Sequence, residues 1–269
     1  VNKQRIFIIG GSGFVGSHLT DYLLQHQYDV FSPTSREFNL LDKSTWKPLE
    51  VSPSVAIICA SEISDNAESM KLTNEDPLED LYAFLKENGI QKLIYLSSGA
   101  VYGSYSGVLS PETPCYPNTH YGHSKFNSER ILSSVCENDL NILRLFFPYG
   151  PNQKLPRLIP RMVDSIKKRI PIICNADGGP HISVTHVYDI ANIITSDFIV
   201  KDSRDRVTNI ASPVVLSIKE IAERLSQTIG IPALYEQNLI ESSNCISVPY
   251  QSVECKYSDS FEGIVNESV

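Results

Sequence analysis

A doubly wound α/β fold is predicted by three observations. Short apolar runs of strand length alternate with amphipathic stretches through the first half of the chain. The runs are nearly continuous in Ile, Val, Leu and Phe, as strands buried on both faces must be. The first run leads through a glycine-rich turn directly into a helix pattern. Together they predict a parallel sheet with helices on both faces.

In chain order, "RIFIIG" (5–10) reads as a buried strand, "FVGSHLTDYLLQHQ" (14–27) as a helix and "YDVFSP" (28–33) as a second strand. "SVAIICAS" (54–61) is a third strand, and 67–89 reads as one helix closed by Gly89, a favoured residue at a helix C-terminus. "QKLIYLSS" (91–98) follows as a strand, 120–138 as a helix and "LNILRLFF" (140–147) as a strand. Pro148, Pro151, Pro156 and Pro160 then break the alternation. Helices are expected over 156–169 and 184–199, and a short strand over 205–211. Another helix is expected over 217–230, with Ser217 at its N-cap and Glu220 three residues on. Residues 1–150 are expected to form a dinucleotide-binding domain, and 151–269 a smaller α/β lid interleaved with it.

Composition narrows the partners. Of 269 residues, 42% are hydrophobic and 20% charged, as in an ordinary globular protein. A net charge of −8 argues against nucleic acid, and the one basic block, Lys167-Lys168-Arg169, reads as a solvated helix end. The apolar runs are too short for a membrane span, and the first residues enter a strand pattern without a leader. Six scattered cysteines (59, 115, 136, 174, 245, 255) suit neither a metal site nor a disulfide framework, so no metal and a cytoplasmic location are expected.

The glycine turn carries the first chemistry. Gly10, Gly13 and Gly16 stand at G-x-x-G-x-x-G spacing between a strand and a helix, with Gly11, Ser12, Phe14 and Val15 between them. In that setting the glycines permit a tight turn, a close approach to a pyrophosphate and helix–strand packing, while the helix N-terminus faces the phosphates. The fold is thus of the Rossmann kind. A carboxylate at the end of the second strand usually marks NAD. Here Phe31, Ser32 and Pro33 are neutral and Thr34, Ser35 and Arg36 follow, which favours NADP(H), with NAD(H) as the alternative. Arg36 would instead be a surface residue if it paired with Glu37 or Asp42. Asp42 suits either an adenine contact or a cap on a helix near Ser44.

"THYGHSKFNSER" (119–130) sets Tyr121 and Lys125 four residues apart on one helix face. A phenol near a cation is a usable acid–base group, and Ser97 or Ser98 at a strand's carboxyl end offers a hydroxyl beside it.

These stretches resemble the extended short-chain dehydrogenases/reductases of the NAD-dependent epimerase/dehydratase group, which modify nucleotide-linked sugars. The likeness runs in family order through "GGSGFVGSHL", "NLLD", "TNEDPLEDL", "YLSSGAVYG", "PETPCYPNTHYGHSK", "RLFFPYGPNQ", "HVYDIA", "NIASPVVLSIKEIA" and "DSFEGI". It implies that Tyr121 is the general acid–base, that Lys125 holds the nicotinamide ribose and lowers the pKa of Tyr121, and that Ser98 is the catalytic hydroxyl. It further implies that Leu41, Asp42, Ala60, Ser61, Asn74, Phe147 and Pro148 lie along or support the cofactor. Gly99, Ala100, Arg157, Arg161 and His181 would face a nucleotide-sugar substrate. Gly99-Ala100 replace the Asp-Glu of the family's dehydratases, and Ala100 the Cys of its epimerising reductases. Ile182 stands near where many members carry Arg.

The reading that follows is an NADP(H)-dependent reductase of a 4-keto nucleotide sugar. The alternatives are a 4-epimerase that retains NAD and, from another class, a non-catalytic dinucleotide sensor. Relatives often dimerise through a four-helix bundle, so a homodimer is expected if Phe126, Ile131, Leu132 and Val135 face outward instead of toward the sheet.

Overall fold

The structure, a computed structural model, describes residues 5–50, 52–104, 107–136, 138–238, 244–252, 257–258 and 261. In chain order its strands are β1 (Arg5–Ile9), β2 (Asp29–Phe31), β3 (Val55–Ile58), β4 (Lys92–Ser98), β5 (Val108–Leu109), β6 (Leu140–Leu145) and β7 (Pro148–Tyr149). Then come β8 (Ile172–Cys174), β9 (His181–Ser183), β10 (Thr185–His186), β11 (Val207–Ile210), β12 (Val215–Ser217), β13 (Tyr235–Gln237) and β14 (Ile246–Ser247). The helices are α1 (Phe14–Gln25), α2 (Ala67–Asn74), α3 (Leu78–Glu87), α4 (His120–Val135), α5 (Leu158–Lys168), α6 (Val187–Ile193) and α7 (Ile218–Ile229).

Six strands form one parallel sheet in the order β2-β1-β3-β4-β6-β11. Period-two alternation divides each strand between two cores. Ile6, Ile8, Val55, Ile57, Ile94 and Leu96 point to the face covered by α1 and α6. Phe7, Ile9, Ala56, Ile58, Leu93 and Tyr95 point to the face where Leu81 and Leu85 of α3 and Leu132 of α4 pack. Both faces are dry, which is why the strands read as continuous apolar runs. The chain leaves β1 toward β2 and returns to β3 on the other side, so β1 and β3 flank the topological switch point, where such sheets bind ligands.

Close backbone contact fixes that junction. Gly10 has φ 85°, and a Cβ there would lie 2.4 Å from the Ala60 nitrogen; one on Gly16 would lie 2.2 Å from the Gly10 oxygen. Side chains at either position would push β1, β3 and α1 apart.

Two expected helices differ from expectation. The stretch 67–89 is broken at Glu75–Pro77, because Pro77 has no N–H and its ring would strike the preceding turn; it takes the N-cap of α3 instead. The break leaves Asn74 at the end of α2. Residues 184–199 become helical only at Val187, and from Ile194 to Val200 the helix widens to π turns. The strand expected over 140–147 stops at Leu145, since Phe147 has φ 35°. Gly89 follows Asn88, the C-cap of α3, at φ 85°, and so closes the helix as anticipated.

Beyond residue 151, α6 packs on α1 and β11 extends the large sheet beside β6. The remainder forms its own core, in which α5 and α7 pack on β8, β9 and β12 through Ile159, Val163, Ile166, Ile182, Leu216 and Ile221. Ile182 is thus a core residue. Of "DSFEGI", only Phe261 is among the described residues, its ring tilted against that of Tyr149 with centres 4.9 Å apart; the rest of that stretch and Cys255 lie outside them. Leu132 is buried, and Ile131, Val135 and Phe126 pack against the protein's own cores, so these four side chains face inward. Among the described residues no helix is long and apolar enough to cross a membrane.

The predicted capping box of α7 is present. Ser217 Oγ accepts from the Glu220 N–H at 3.2 Å, and the Glu220 carboxylate accepts from the Ser217 N–H at 2.7 Å. Ser217→Ala is expected to cost about 1 kcal/mol, and Ser217→Gly only a few tenths. Equal thermal midpoints for wild type and Ser217→Ala would refute that contribution.

Candidate active site

The glycine turn offers neither a carboxylate nor a side-chain cap at the start of α1. Gly13 is the N-cap of α1 and offers no side-chain cap, and the first turn of the helix holds no acidic residue. Ser12 and Gly13 are exposed, Phe14 and Val15 half-buried, and Gly11 and Gly16 buried. A Cβ on Gly11 would fall 1.8 Å from Ser32 Oγ, so the end of β2 presses directly on the turn. A bare helix N-terminus with its N–H groups and positive dipole fits a pyrophosphate, and the turn therefore fits a dinucleotide.

At the end of β2 no carboxylate is offered. Ser32 receives a long hydrogen bond from Thr20 Oγ1 (3.4 Å). Glu37 folds back on Thr34, accepting from its N–H at 2.8 Å and its hydroxyl at 2.9 Å, and this holds the Glu37 carboxyl below its ordinary pKa. Asp42 caps a short 3₁₀ turn, accepting from the Ser44 N–H at 3.0 Å. Both carboxylates that stood as partners for Arg36 are thus engaged elsewhere. Arg36 is exposed and has no ion pair among the described residues, and Leu41 is exposed as well.

The three catalytic candidates converge at the carboxyl end of β4. Ser98 is half-buried and ends the strand; its Oγ accepts from the Ala100 N–H at 3.2 Å, which leaves its own proton free to donate. Thr119 caps α4 by accepting from the Gly122 N–H at 3.0 Å, so Tyr121 sits in the first turn. A Cβ on Gly122 would lie 2.6 Å from the Ala100 oxygen. Helix and catalytic turn touch there through backbone, and the Tyr121 phenol lies in hydrogen-bonding reach of Ser98 and Ser61.

The charges around the phenol differ from the expectation. Burial raises the Tyr121 pKa, and the cation that opposes this is Arg157, with the Ser98 and Ser61 hydroxyls assisting. Lys125, although four residues from Tyr121, runs back toward β4. Its Nζ donates to the Leu96 carbonyl at 2.8 Å and to the Tyr95 hydroxyl at 3.2 Å, and lies 4.7 Å from the Tyr95 ring centre. The ammonium is 2% exposed, and desolvation lowers its pKa to about 8, against the field of Glu129. Cys59 at the end of β3 is its neighbour, a thiol that burial pushes up to about 12.

Several other sequence candidates surround this group. Ala60 backs the glycine turn, donating its N–H to the Ile9 carbonyl at 3.0 Å. Asn74 is fully engaged: its Nδ2 donates to Ser124 Oγ and to the Glu62 carbonyl, both at 3.0 Å, and its Oδ1 accepts from the Glu62 N–H at 2.7 Å. It ties α2 and the 60–62 segment to α4. Phe147, exposed at the end of β6, holds the strained positive φ, a feature that concentrates at functional sites; Pro148 opens β7. Gly99 packs on the Phe146 ring. Arg157 is the N-cap of α5, and Arg161 stands one turn further along that helix, exposed and without an ion pair among the described residues. His181 pairs with Ser217 across β9–β12, donates its N–H to Asn244 and faces Glu220 of α7.

Sequence reasoning passed over Tyr95 and Gly122. The signal for Tyr95 was a hydroxyl in an otherwise apolar buried strand, which requires a polar partner. Gly122 was marked by a glycine inside a helix pattern directly after the tyrosine.

Switch point, phosphate cradle and a Ser/Tyr/Lys set on adjoining elements define a dinucleotide-dependent oxidoreductase. The family model for the NAD dependent epimerase/dehydratase family matches residues 6–211, and the chain belongs to that family. It is accordingly an NAD(P)-dependent enzyme of the extended short-chain dehydrogenase/reductase type, and the non-catalytic alternative falls away. A dTDP-4-dehydro-6-deoxyglucose reductase of Escherichia coli is 29% identical over 63% of this chain and 65% of its own length. Two solved structures share the fold. A dTDP-4-dehydrorhamnose reductase from Bacillus anthracis in complex with NADP has a TM-score of 0.78 at 19% identity, over 93% of this chain and 90% of that one. A Thermus thermophilus UDP-glucose 4-epimerase in complex with NAD has 0.77 at 20%, over 91% and 90%.

The buried ammonium has a consequence for stability. Lys125 titrates near 8 when folded and near its ordinary 10.5 when unfolded, so the unfolded chain binds the extra proton between those values and stability from this group rises with pH across them. From pH 7 to 9.5 the gain is about 2 kcal/mol. Urea unfolding should show wild-type stability rising relative to that of Lys125→Met by about this amount between those pH values; parallel pH dependences would show that the ammonium is not desolvated.

Proposed function

We propose that the protein is an NADP(H)-dependent reductase acting on a 4-keto nucleotide sugar. The observation that carries the cofactor preference is the end of β2, where Ser32, Thr34 and an exposed Arg36 without an ion pair among the described residues stand and both nearby carboxylates are occupied. Hydroxyls and a guanidinium suit a 2′-phosphate, which a carboxylate would repel. The likeness to a reductase of a dTDP-linked keto sugar supports the substrate class.

When bound, the reduced nicotinamide would supply the hydride to the keto carbon. Gly10 to Gly16 would receive the pyrophosphate, with Ala60 and Ser61 along the cofactor and Phe147 and Pro148 near its nicotinamide end. Lys125 would hold the ribose from its buried slot. Ser98 donates a hydrogen bond to the keto oxygen, and Tyr121 delivers the proton to that same oxygen as negative charge develops on it. The phenolate left behind is stabilised by the Arg157 guanidinium and the Ser61 hydroxyl. Arg157 and Arg161, on one face of α5, suit a diphosphate. In this reading residues up to about 150 carry the cofactor and the α5–α7 core closes over the sugar.

A 4-epimerase holding NAD(H) is the second reading, favoured by the likeness to an NAD-bound epimerase and using the same Ser98, Tyr121 and Lys125.

Denaturing freshly purified protein and weighing any released dinucleotide separates the two readings, followed by titration of the apo protein with NADPH and NADH. Tighter binding of NADPH is expected, and Arg36→Ala should weaken NADPH about 10-fold while leaving NADH unchanged. Stoichiometric NAD(H) carried through purification would support the epimerase. Tyr121→Phe should lower turnover by about 10²- to 10⁴-fold with cofactor binding nearly intact; an active Phe variant would end the mechanism.

A further inference from the structure

Directly behind the catalytic residues lies a buried polar chain in which no reacting group takes part. Ser97, the residue before Ser98, donates from Oγ to Glu129 Oε1 at 2.5 Å. Glu129 is one turn beyond Lys125 on α4 and two beyond Tyr121, on the same face. Its carboxylate is gripped by Arg144 of β6 through two parallel bonds, Nε to Oε1 at 3.0 Å and Nη2 to Oε2 at 2.7 Å. Arg144 is the register partner of Ser97 across the β4–β6 ladder, so three adjoining elements meet in one ion pair whose side chains are 6% and 5% exposed.

The chain continues away from the cleft. Arg144 Nη1 donates to the Tyr102 hydroxyl at 2.8 Å, and that hydroxyl donates to Asn209 Oδ1 of β11 at 2.7 Å. Asn209 Nδ2 donates to Ser247 Oγ at 3.0 Å, and the Ser247 N–H donates to Ser183 Oγ of β9 at 3.1 Å. Strands from both cores are therefore joined by directional bonds.

A buried ion pair is weak as a source of stability, because desolvation offsets most of the attraction. What it supplies is direction: a bidentate guanidinium–carboxylate pair fixes two backbones in distance and rotation at once. Apart from this pair and Lys125, whose ammonium bonds to Leu96 and Tyr95 of β4, helix α4 meets the sheet through apolar contacts such as Leu132, which carry no directional bond.

We propose that Glu129 and Arg144, with Ser97, are positioning residues for the reaction: their buried bonds set the rotation and depth of α4 on β4 and so the approach of Tyr121 and Lys125 to Ser98. This rests on the reading of those three as the catalytic set. Removing the pair leaves the fold in place and loosens the site.

Three variants of the full chain test it: Ser97→Ala, Glu129→Gln and the double Glu129→Leu/Arg144→Met, which substitutes apolar side chains for the whole pair. The double variant leaves no unpaired buried charge, so its thermal midpoint should stay close to wild type. NADPH should bind within about 3-fold of wild type through the glycine turn, while the fluorescence of its bound nicotinamide falls and kcat drops about 100-fold with KM little changed. Ser97→Ala, which keeps the ion pair, should lose about 10-fold in kcat without a change in melting. Wild-type kcat in Ser97→Ala or in the folded double variant overturns the proposal. Should the double variant fail to fold, Ser97→Ala and Glu129→Gln decide by the same readouts. Nicotinamide fluorescence needs no sugar, which keeps the two readings apart. A wild type that turns over no keto nucleotide sugar refutes the substrate assignment alone, whereas wild-type nicotinamide fluorescence in every folded variant refutes the positioning role.

Discussion

The backbone contact between Gly10 and Ala60 is the constraint on which the site depends. At the switch point the sheet must bring the ends of β1 and β3 and the start of α1 into one small volume, with 2.4 Å between the Ala60 nitrogen and the place a Gly10 Cβ would occupy. Only there does α1 point its uncapped N-terminus at the groove that β3 and β4 line with their carboxyl ends. A second backbone contact, Gly122 against the Ala100 carbonyl, repeats the device one strand further along and sets α4 against the catalytic turn. The glycine turn and the Ser98–Tyr121 group are thus held by glycines that let peptide meet peptide.

Much of this was legible in the sequence because it is local. The strands are continuous apolar runs since both faces of the sheet are covered, and the capping box of α7 needs only Ser217 and Glu220 three residues apart. The glycine turn and Ser98, Tyr121 and Lys125 were likewise readable from spacing and flanking elements. What escaped depends on three dimensions. The break at Pro77 follows from a residue the helix pattern spans too easily, and its effect, turning the Asn74 amide onto Ser124, involves residues fifty positions apart. Arg144 did give a local sign: a guanidinium in the middle of "LNILRLFF" must find a counter-charge if the strand is buried, and the face shared by Tyr121, Lys125 and Glu129 was the place to look.

Burial drives Tyr121 and Lys125 in opposite directions on the pH scale and toward the same outcome, the neutral form. A neutral phenol is the right starting state for delivering a proton, but the phenolate that remains needs a cation. In this structure that cation is Arg157, and it belongs to α5, beyond the segment that carries the cofactor cradle. The acidity of the phenol is therefore coupled to the placement of α5, the same helix that presents Arg161. Substrate phosphates drawn to these guanidinium groups would compete for the charge that supports Tyr121, so binding and proton transfer share one electrostatic source.

The Ser/Tyr/Lys set is symmetric with respect to direction. A phenol that gives a proton to an oxygen can take it back, and the hydroxyl of Ser98 orients that oxygen in either state. Nothing at the carboxyl end of β4 thus distinguishes reduction from reversible oxidation. The distinction has to come from the cofactor: a dinucleotide that leaves after each turnover makes a reductase, and one that stays to return the hydride makes an epimerase. Retention depends on contacts far from the reacting carbon, at the adenosine end. The tip of β2, which the sequence assigns to that end, has Ser32 pressed on Gly11, Glu37 and Asp42 hydrogen-bonded within their own turns, and an exposed Arg36 with no ion pair among the described residues. An exposed guanidinium is screened by solvent and salt, so any hold it adds at the adenosine end weakens as ionic strength rises.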